Sequence, residues 1–92
     1  MKPEMKSWKV EITDAAWNTP VGWQANYAWV RRYAIDARTE RSSVTAAKRA
    51  TGYDGFRWDL QWDDGETRCY RIRGCAILVF IMPGPNNAEI KS

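Results

Sequence analysis

The sequence predicts an α+β domain in which one short helix packs on a small antiparallel β-sheet, in the order β-β-α-β-β-β. Three observations predict this fold: several segments alternate apolar and polar residues, an Ala-rich segment follows a pair of serines, and an Asp-Gly pair separates two alternating segments. A chain of 92 residues with 45% hydrophobic residues can bury one modest core. We therefore expect a single domain over residues 1–92, with a loose tail from about residue 84.

The first two strands are predicted on either side of a loop. Residues 7–13 alternate with the period of a half-buried strand. Asn, Pro and Gly within residues 14–23 predict a turn or loop, with Trp17 as a lid over the core. The spacing in residues 23–37 fits either a strand or a helix, and their aromatic and β-branched content favours a strand. Arg31 interrupts its apolar face, which predicts a bulge there or a position at the sheet edge.

The predicted helix begins at one of two serines. Ser42 or Ser43 can act as the N-cap, because a serine hydroxyl accepts a hydrogen bond from a free backbone N–H of the first turn. Gly52 predicts the end of the helix, since glycine readily adopts the left-handed conformation found after many helices. A narrow face of small residues predicts close packing on the sheet, and it leaves Lys48 and Arg49 pointing largely to solvent.

Three more strands are predicted after the helix. The third strand of the chain alternates, which predicts that its apolar side chains share one face: Phe56, Trp58, Leu60 and Trp62. After a tight turn at Asp64 and Gly65, the fourth strand places Arg71 and Arg73 on its outer face. The fifth strand, within residues 75–82, is apolar on both faces, as expected of a strand that is covered on both sides or paired centrally.

The residue types present give little support to catalysis or metal binding. The chain has no His, the commonest general base and metal ligand, and Cys69 and Cys75 are too few for a four-ligand zinc site. Asp63 and Asp64 fit the chemistry of a hairpin turn, and a lone strand thiol such as Cys69 is usually a small buried hydrophobic residue. We therefore expect no enzyme activity, cofactor, metal ion or small-molecule substrate.

The sequence also lacks the patterns of secretion and membrane insertion. Residues 1–10 contain no apolar region of the kind found in signal peptides. The longest apolar run, residues 75–82, is too short to span a bilayer. We expect a cytoplasmic protein with two free thiols and no membrane partner.

Basic and aromatic residues are the most informative functional feature. The chain has 14 Lys and Arg against 11 Asp and Glu, so attraction to nucleic acid would depend on clustering rather than on the net charge of +3. We expect Trp8, Trp29 and Trp58 in the core. The predicted phosphate-binding and base-stacking residues are Arg31, Arg32, Arg41, Lys48, Arg49, Arg57, Arg71, Arg73, Trp23 and Trp62. The alternative is that these charges, with Arg38 and Arg68, are solvated and paired with nearby carboxylates.

From Ile35 onwards the chain resembles a recurrent type of small phage-encoded protein. The similar stretch is IDARTERSSVTAAKRATGYDGFRWDLQWDDGETRCYRIRGCAILVFI, with a strand ending in Ala, a short AAK-bearing helix, a Gly-x-x-Gly turn, a strand, a Gly hairpin and an apolar strand. Within it, SVTAAKRA at residues 43–50 is similar to the helix of an anti-CRISPR family that acts on type I-F surveillance complexes. The matching basic positions are Lys48 and Arg49, and the Trp-rich first half of the chain departs from that family.

This resemblance implies a non-enzymatic phage inhibitor of bacterial CRISPR immunity. Such a protein would dock on the Cas proteins and crRNA of a type I surveillance complex, in the host bacterial cytoplasm, and block target DNA hybridisation. The residues themselves leave two alternatives open. One is a stand-alone phage nucleic-acid-binding protein with a basic and aromatic surface, and the other is a structural phage component whose apolar last strand pairs with a neighbouring subunit.

Overall fold

The computed structural model describes residues 5–84 and confirms the predicted α+β fold and its element order. The elements are β1 (Lys6–Asn18), β2 (Gly22–Ala37), α1 (Glu40–Thr51), β3 (Trp58–Asp63), β4 (Arg68–Ile72) and β5 (Ile77–Pro83). The tail predicted from about residue 84 lies outside the described residues except for Gly84. The N–H of Gly84 donates to the Ser7 carbonyl over 2.8 Å, which ties the end of β5 to β1.

The strands form one antiparallel sheet in the order β2-β1-β5-β4-β3. β5 is paired with β1 on one side and with β4 on the other, which confirms its prediction as a centrally paired strand. Because both of its edges are already hydrogen-bonded, β5 cannot also pair with a neighbouring subunit, so the predicted pairing of this strand with another subunit is wrong. β2 and β3 are the edge strands, so the edge position that Arg31 indicated for β2 is confirmed.

The first hairpin is longer than the sequence predicted. β1 continues to Asn18 and β2 begins at Gly22, so residues 14–18 are strand rather than loop, and the turn spans residues 19–21. The Asn, Pro and Gly residues that suggested a long loop mark only this turn. Trp17 is 59% exposed near the tip of the hairpin, so the predicted lid over the core is wrong.

The core lies on the face of the sheet against which α1 packs, which we call the helix face. Ala47 of α1 meets a set of alternate strand residues there: Trp8, Val10, Ile12, Ile35, Ile72, Val79 and Ile81. The indole Nε1 of Trp8 donates to the Ala37 carbonyl over 3.0 Å, so this ring is buried with its polar atom satisfied. Trp58 is buried as predicted, whereas Trp29 is 39% exposed and does not belong to the core.

α1 begins before both of the predicted N-caps. The N-cap is Thr39, whose hydroxyl accepts from the Ser42 N–H over 3.1 Å, while the Ser42 hydroxyl accepts from the Thr39 N–H over 3.0 Å. Ser42 is therefore the partner in a capping box, and the prediction of an N-cap at Ser42 or Ser43 is wrong. Gly52 ends the helix as predicted, with a φ of 83° and its N–H bonded to the Lys48 carbonyl.

Arg68, at the start of β4, joins the helix to the sheet. It is only 6% exposed, although the sequence grouped it with solvated charges. Its guanidinium donates to the Ser43 hydroxyl over 2.7 Å and to the Glu40 carbonyl over 3.1 Å, both near the start of α1. It also donates to the Tyr70 hydroxyl over 2.9 Å and lies 5.6 Å from the centroid of the Trp8 ring. The contacts of this buried cation are thus neutral acceptors and aromatic rings.

The register between β1 and β2 shifts at Asp14, opposite a bulge formed by residues 26–29. Side chains replace the missing strand pairing. The Asp14 carboxylate accepts from the Asn26 amide over 2.7 Å and from the Ala28 N–H over 2.8 Å, and the Thr13 hydroxyl accepts a backbone N–H of the bulge over 3.1 Å. The hydrogen bonds that the Asp14 carboxylate accepts, that from Asn26 most strongly, lower the pKa of this carboxyl.

A second register shift, in β3, changes the face on which Trp62 lies. Leu60 pairs with Tyr70, but Trp62 pairs with Cys69, so the alternation breaks between Leu60 and Trp62. Trp62 therefore lies on the opposite face from Trp58, and the predicted common face for the apolar residues of this strand is wrong. Leu60 remains on the helix face but is 55% exposed there.

Replacing Arg68 by Met is expected to lower the free energy of unfolding by about 3 kcal/mol. The acceptors Ser43 and Glu40 would lose a charge-assisted donor, while most of the side-chain volume is kept. Urea unfolding followed by Trp fluorescence measures the change. Arg49→Met, on an exposed part of α1, is the matched control and should shift the value by less than about 0.5 kcal/mol. Equal effects of the two substitutions would contradict an anchoring role for Arg68.

Stability is also expected to fall in acid through Asp14. The folded-state pKa of its carboxyl lies below the ordinary value of about 3.9. Its contribution is therefore present above about pH 4 and is lost as the pH falls through the folded pKa. Asp14→Asn places an amide donor against the Asn26 amide, so this variant should melt at a lower temperature near neutrality and depend less on acid.

Thermal melting of both proteins from neutral pH into acid tests this expectation. Asp36→Asn, which neutralises an exposed carboxyl on β2, is the control and should keep the acid dependence of the wild type. If Asp14→Asn loses stability in parallel with the wild type as the pH falls, another group is responsible.

Candidate functional site

The face of the sheet opposite the helix face is called the open face. Paired residues of neighbouring antiparallel strands lie on the same face, so the register arranges the side chains of the open face in rows. One row runs from β2 to β3 through Arg32, Glu11, Phe80, Cys69 and Trp62. The next row runs through Val30, Thr13, Leu78, Arg71 and Asp59. Polar, charged and aromatic groups from every strand of the sheet therefore share one surface.

Trp23 lies over one end of the open face. Its ring centroid is 4.5 Å from the guanidinium carbon of Arg71, although β1 and β5 separate β2 from β4 within the sheet. The tip of the β1–β2 hairpin therefore bends across the sheet beyond the bulge at Asp14. Leu78, between β1 and β4, is 2% exposed, as expected beneath such a cover. Trp17 packs edge-on against Trp23, with ring centroids 5.6 Å apart.

Beside this stack, three arginines surround one carboxylate. Arg73 donates through Nε and one Nη to the two oxygens of Asp59, each over 3.0 Å, and the Arg57 Nε lies 3.5 Å from the same carboxylate. Arg71 is the cross-strand neighbour of Asp59. The hydrogen bond from Arg73, together with the charges of Arg73, Arg57 and Arg71, lowers the pKa of the Asp59 carboxyl. This arginine cluster (Arg57, Arg71 and Arg73) exceeds the charge of Asp59, so the local potential is positive.

Trp62 and Phe80 form an aromatic pair in the neighbouring row. Their ring centroids are 6.0 Å apart and the rings are inclined at 50°, and Trp62 is 46% exposed.

Cys69 of β4 pairs with Trp62 on one side and with Phe80 on the other, and it is 1% exposed. Burial raises the pKa of its thiol to about 12. A thiol of this kind stays protonated at neutral pH, which fits the predicted role of a small buried hydrophobic residue.

A groove of about 460 Å³ lies across β1, between β2 and β5. Its polar side chains on the open face are those of Ser7, Lys9, Glu11 and Arg32, and Ala34 and Met82 contribute apolar surface. The Arg32 Nε donates to the Glu11 Oε2 over 2.9 Å, and the side chains of the pair are 67% and 21% exposed. The volume falls within the range of small-ligand sites.

A separate set of basic residues lies on the other side of the domain. Arg41 and Arg49 are exposed on α1. Lys48 is half-buried, with its Nζ 5.9 Å from the centroid of the Trp58 ring, so part of this side chain packs against the core. Arg31 pairs with a core residue of β1 and so lies on the helix face.

The predicted site residues therefore divide into two groups. The open face brings together Arg32, Arg57, Arg71, Arg73, Trp23 and Trp62, and the helix side carries Arg31, Arg41, Lys48 and Arg49. The sequence missed Lys9, Glu11 and Phe80 as members of the open face. The alternation of residues 7–13 did place Lys9 and Glu11 on one face, but it indicated solvent rather than a groove.

The remaining candidates for chemistry have structural roles. The Asp63 carboxylate accepts from the Gly65 N–H over 2.8 Å, and the Asp64 carboxylate accepts from the N–H groups of Glu66 and Thr67, over 3.0 and 2.7 Å. These bonds confirm the predicted turn chemistry. Residues 5–84 contain no group of His, Cys, Asp or Glu side chains that could hold a metal ion. Within the same range, no helix is long and apolar enough to cross a membrane.

The open face and the helix side are thus the two surfaces on which a functional assignment can be based. No family model, no curated protein and no solved structure matches the chain.

Proposed function

We propose that this protein binds single-stranded nucleic acid on its open face and does so without catalysing a reaction. The observation that carries the proposal is the arginine cluster, which shares the open face with Trp23, over Arg71, and with Trp62 in the neighbouring row. Guanidinium groups bind phosphates through several donors, and exposed indole rings stack with unpaired bases. The combination suits a flexible strand whose phosphates and bases are both accessible.

The placement of the aromatic rings favours single strands over duplexes. Trp62 and Phe80 lie next to each other on the open face, and Trp62 is 46% exposed, so its ring is accessible to a base laid on that surface. In a duplex the faces of the bases are hidden in the stack, so only splayed or unpaired bases can reach such rings.

Ion pairing within the protein accounts for only part of the charge on the open face. Arg57 and Arg73 share the single carboxylate of Asp59, and their side chains are 72% and 56% exposed. Arg71 lies over the Trp23 ring. Exposed ion pairs are weak, so phosphate oxygens can compete with Asp59 for these donors.

Affinity for a labelled single-stranded oligonucleotide, measured by fluorescence anisotropy, is expected to fall steeply with salt, because each phosphate contact releases counterions. The double variant Arg57→Gln with Arg73→Gln should reduce the slope of log affinity against log salt by about 2.

Trp62→Ala should lower affinity roughly 5- to 150-fold, because it removes a stacking surface.

Two substitutions on the helix side serve as matched controls. Arg49→Gln removes one exposed positive charge from α1, and Trp29→Ala removes one partly exposed indole that lies against Arg31 of the helix side. Both should bind like the wild type. The proposal fails if the wild type shows no salt-dependent binding, or if the control substitutions weaken binding as much as those on the open face.

A second candidate follows from the helix side. We propose as an alternative that the protein is a phage inhibitor that docks on a crRNA-guided surveillance complex in the bacterial cytoplasm and blocks target DNA hybridisation. The observation that favours it is the exposure of Arg41 and Arg49 on α1, away from the open face. Arginine is enriched among the residues that dominate protein interfaces, and an exposed helix can present it to protein or to crRNA.

This alternative makes a different prediction. A purified type I-F surveillance complex should lose target DNA binding in a mobility-shift assay when the protein is added. Arg41→Glu with Arg49→Glu should reduce that inhibition at least about tenfold, because the reversed charges oppose the docking surface. The open-face variant Arg57→Gln with Arg73→Gln is the control and should inhibit fully. Unimpaired target binding in the presence of excess wild-type protein would exclude this function for the complex tested.

A further inference from the structure

The groove of the open face carries hydrogen-bonding groups that the general affinity for nucleic acid does not explain. Glu11 and Arg32 face each other across the β1–β2 pair, and Glu11 is in the same row as Phe80 and Trp62. A strand of nucleic acid stacked on the aromatic pair can therefore continue into the groove. Neighbouring strands of a sheet are about 4.8 Å apart. Phe80 is on the strand next to Glu11, and Trp62 is three strands away, so the Cα atoms of Glu11 and Trp62 are about 14 Å apart along the row.

The Glu11–Arg32 pair keeps free donors and acceptors. Arg32 uses its Nε for Glu11, and within residues 5–84 its two Nη atoms have no hydrogen-bond partner, on a side chain that is 67% exposed. The Glu11 carboxylate accepts one described hydrogen bond, through Oε2, and a carboxylate has about four acceptor sites. The pair thus presents two carboxylate oxygens beside the N–H donors of one guanidinium group.

We propose that this groove binds a guanine base of the single strand, an inference that rests on the proposed nucleic-acid-binding function. Guanine has two adjacent donors, N1–H and the N2 amino group, which match the two oxygens of a carboxylate. Its O6 acceptor lies next to N1 and can accept from Arg32. Uracil, cytosine and adenine each present a single donor group on the corresponding edge and cannot make the same pair of bonds to Glu11.

The surroundings of the pair suit a flat base carried on a phosphate backbone. Met82 and Ala34 provide apolar surface in the groove, on which a purine can lie. Lys9 lies next to Glu11 on the same face of β1 and is exposed, so its ammonium group can contact the phosphate of the bound nucleotide. Glu11 therefore selects the base while Lys9 and the arginine cluster hold the backbone.

Fluorescence anisotropy with three RNA oligonucleotides of about eight residues tests the proposal. One is uridine throughout, one has a central guanosine, and one has inosine at that position, which lacks only the N2 amino group. The guanosine oligonucleotide should bind about tenfold more tightly than the other two, because only guanosine can bond both carboxylate oxygens.

Glu11→Gln is the informative variant, since the amide keeps one acceptor but turns the other oxygen into a donor that opposes guanine. The guanosine preference should fall below about twofold in this variant, while its affinity for the uridine oligonucleotide stays within about twofold of the wild type. Glu66→Gln, in the β3–β4 turn, is the matched control and should keep the preference. An exposed ion pair contributes little to stability, and a thermal melt checks that both variants are folded.

Equal binding of the three oligonucleotides by the wild type would overturn the guanine site and leave the general nucleic-acid-binding function standing. A guanosine preference that survives Glu11→Gln would also overturn it, because the base would then be read elsewhere. Absence of binding to all three at low salt would overturn both proposals. If the protein binds none of the three oligonucleotides and also dimerises with increasing concentration in sedimentation, a second copy covers the open face instead.

Discussion

The burial of Arg68 is the constraint on which the two-layer arrangement depends. A guanidinium remains charged at any physiological pH, so it can be buried only where other groups take over the role of water. Around Arg68, the groups that replace water are the Ser43 hydroxyl, the Glu40 carbonyl and the rings of Trp8 and Tyr70. They surround the guanidinium only when the start of α1 lies over the start of β4. The same contacts commit α1 to one face of the sheet and leave the other face as the proposed binding surface.

Local patterns were sufficient to predict the fold. The alternation of residues 7–13, the turn at Asp64 and Gly65 and the helix stop at Gly52 are each determined by neighbours in sequence, and each was predicted correctly. Arg68 was misplaced because its burial depends on Ser43, which is 25 positions away in the chain. Arg68 has the same parity as Tyr70 and Ile72, which places it on their face of the strand. The local pattern does not show that acceptors from the helix are there to receive its guanidinium.

The candidate site could be predicted by residue type but not by grouping. Arginine and tryptophan were predicted as binding residues, and two backbone irregularities decide which of these side chains lie together. The bulge opposite Asp14 allows the first hairpin to bend until Trp23 reaches Arg71, and the register shift in β3 moves Trp62 to the open face. Neither irregularity has a distinct sequence signal, because each depends on strand pairing. The helix that carries the anti-CRISPR resemblance lies on the other side of the sheet.

The irregularities also affect how the protein behaves in a crowded solution. β2 and β3 are the two edges of the sheet, and each is broken by a register shift. A long, flat edge exposes a row of unpaired N–H and C=O groups to which another chain can add as a new strand, and bulges with nearby charges disrupt that template. Arg31 and Arg32 place two such charges on β2. The distortions that shape the open face therefore also protect a strand-rich and tryptophan-rich chain against edge-to-edge aggregation.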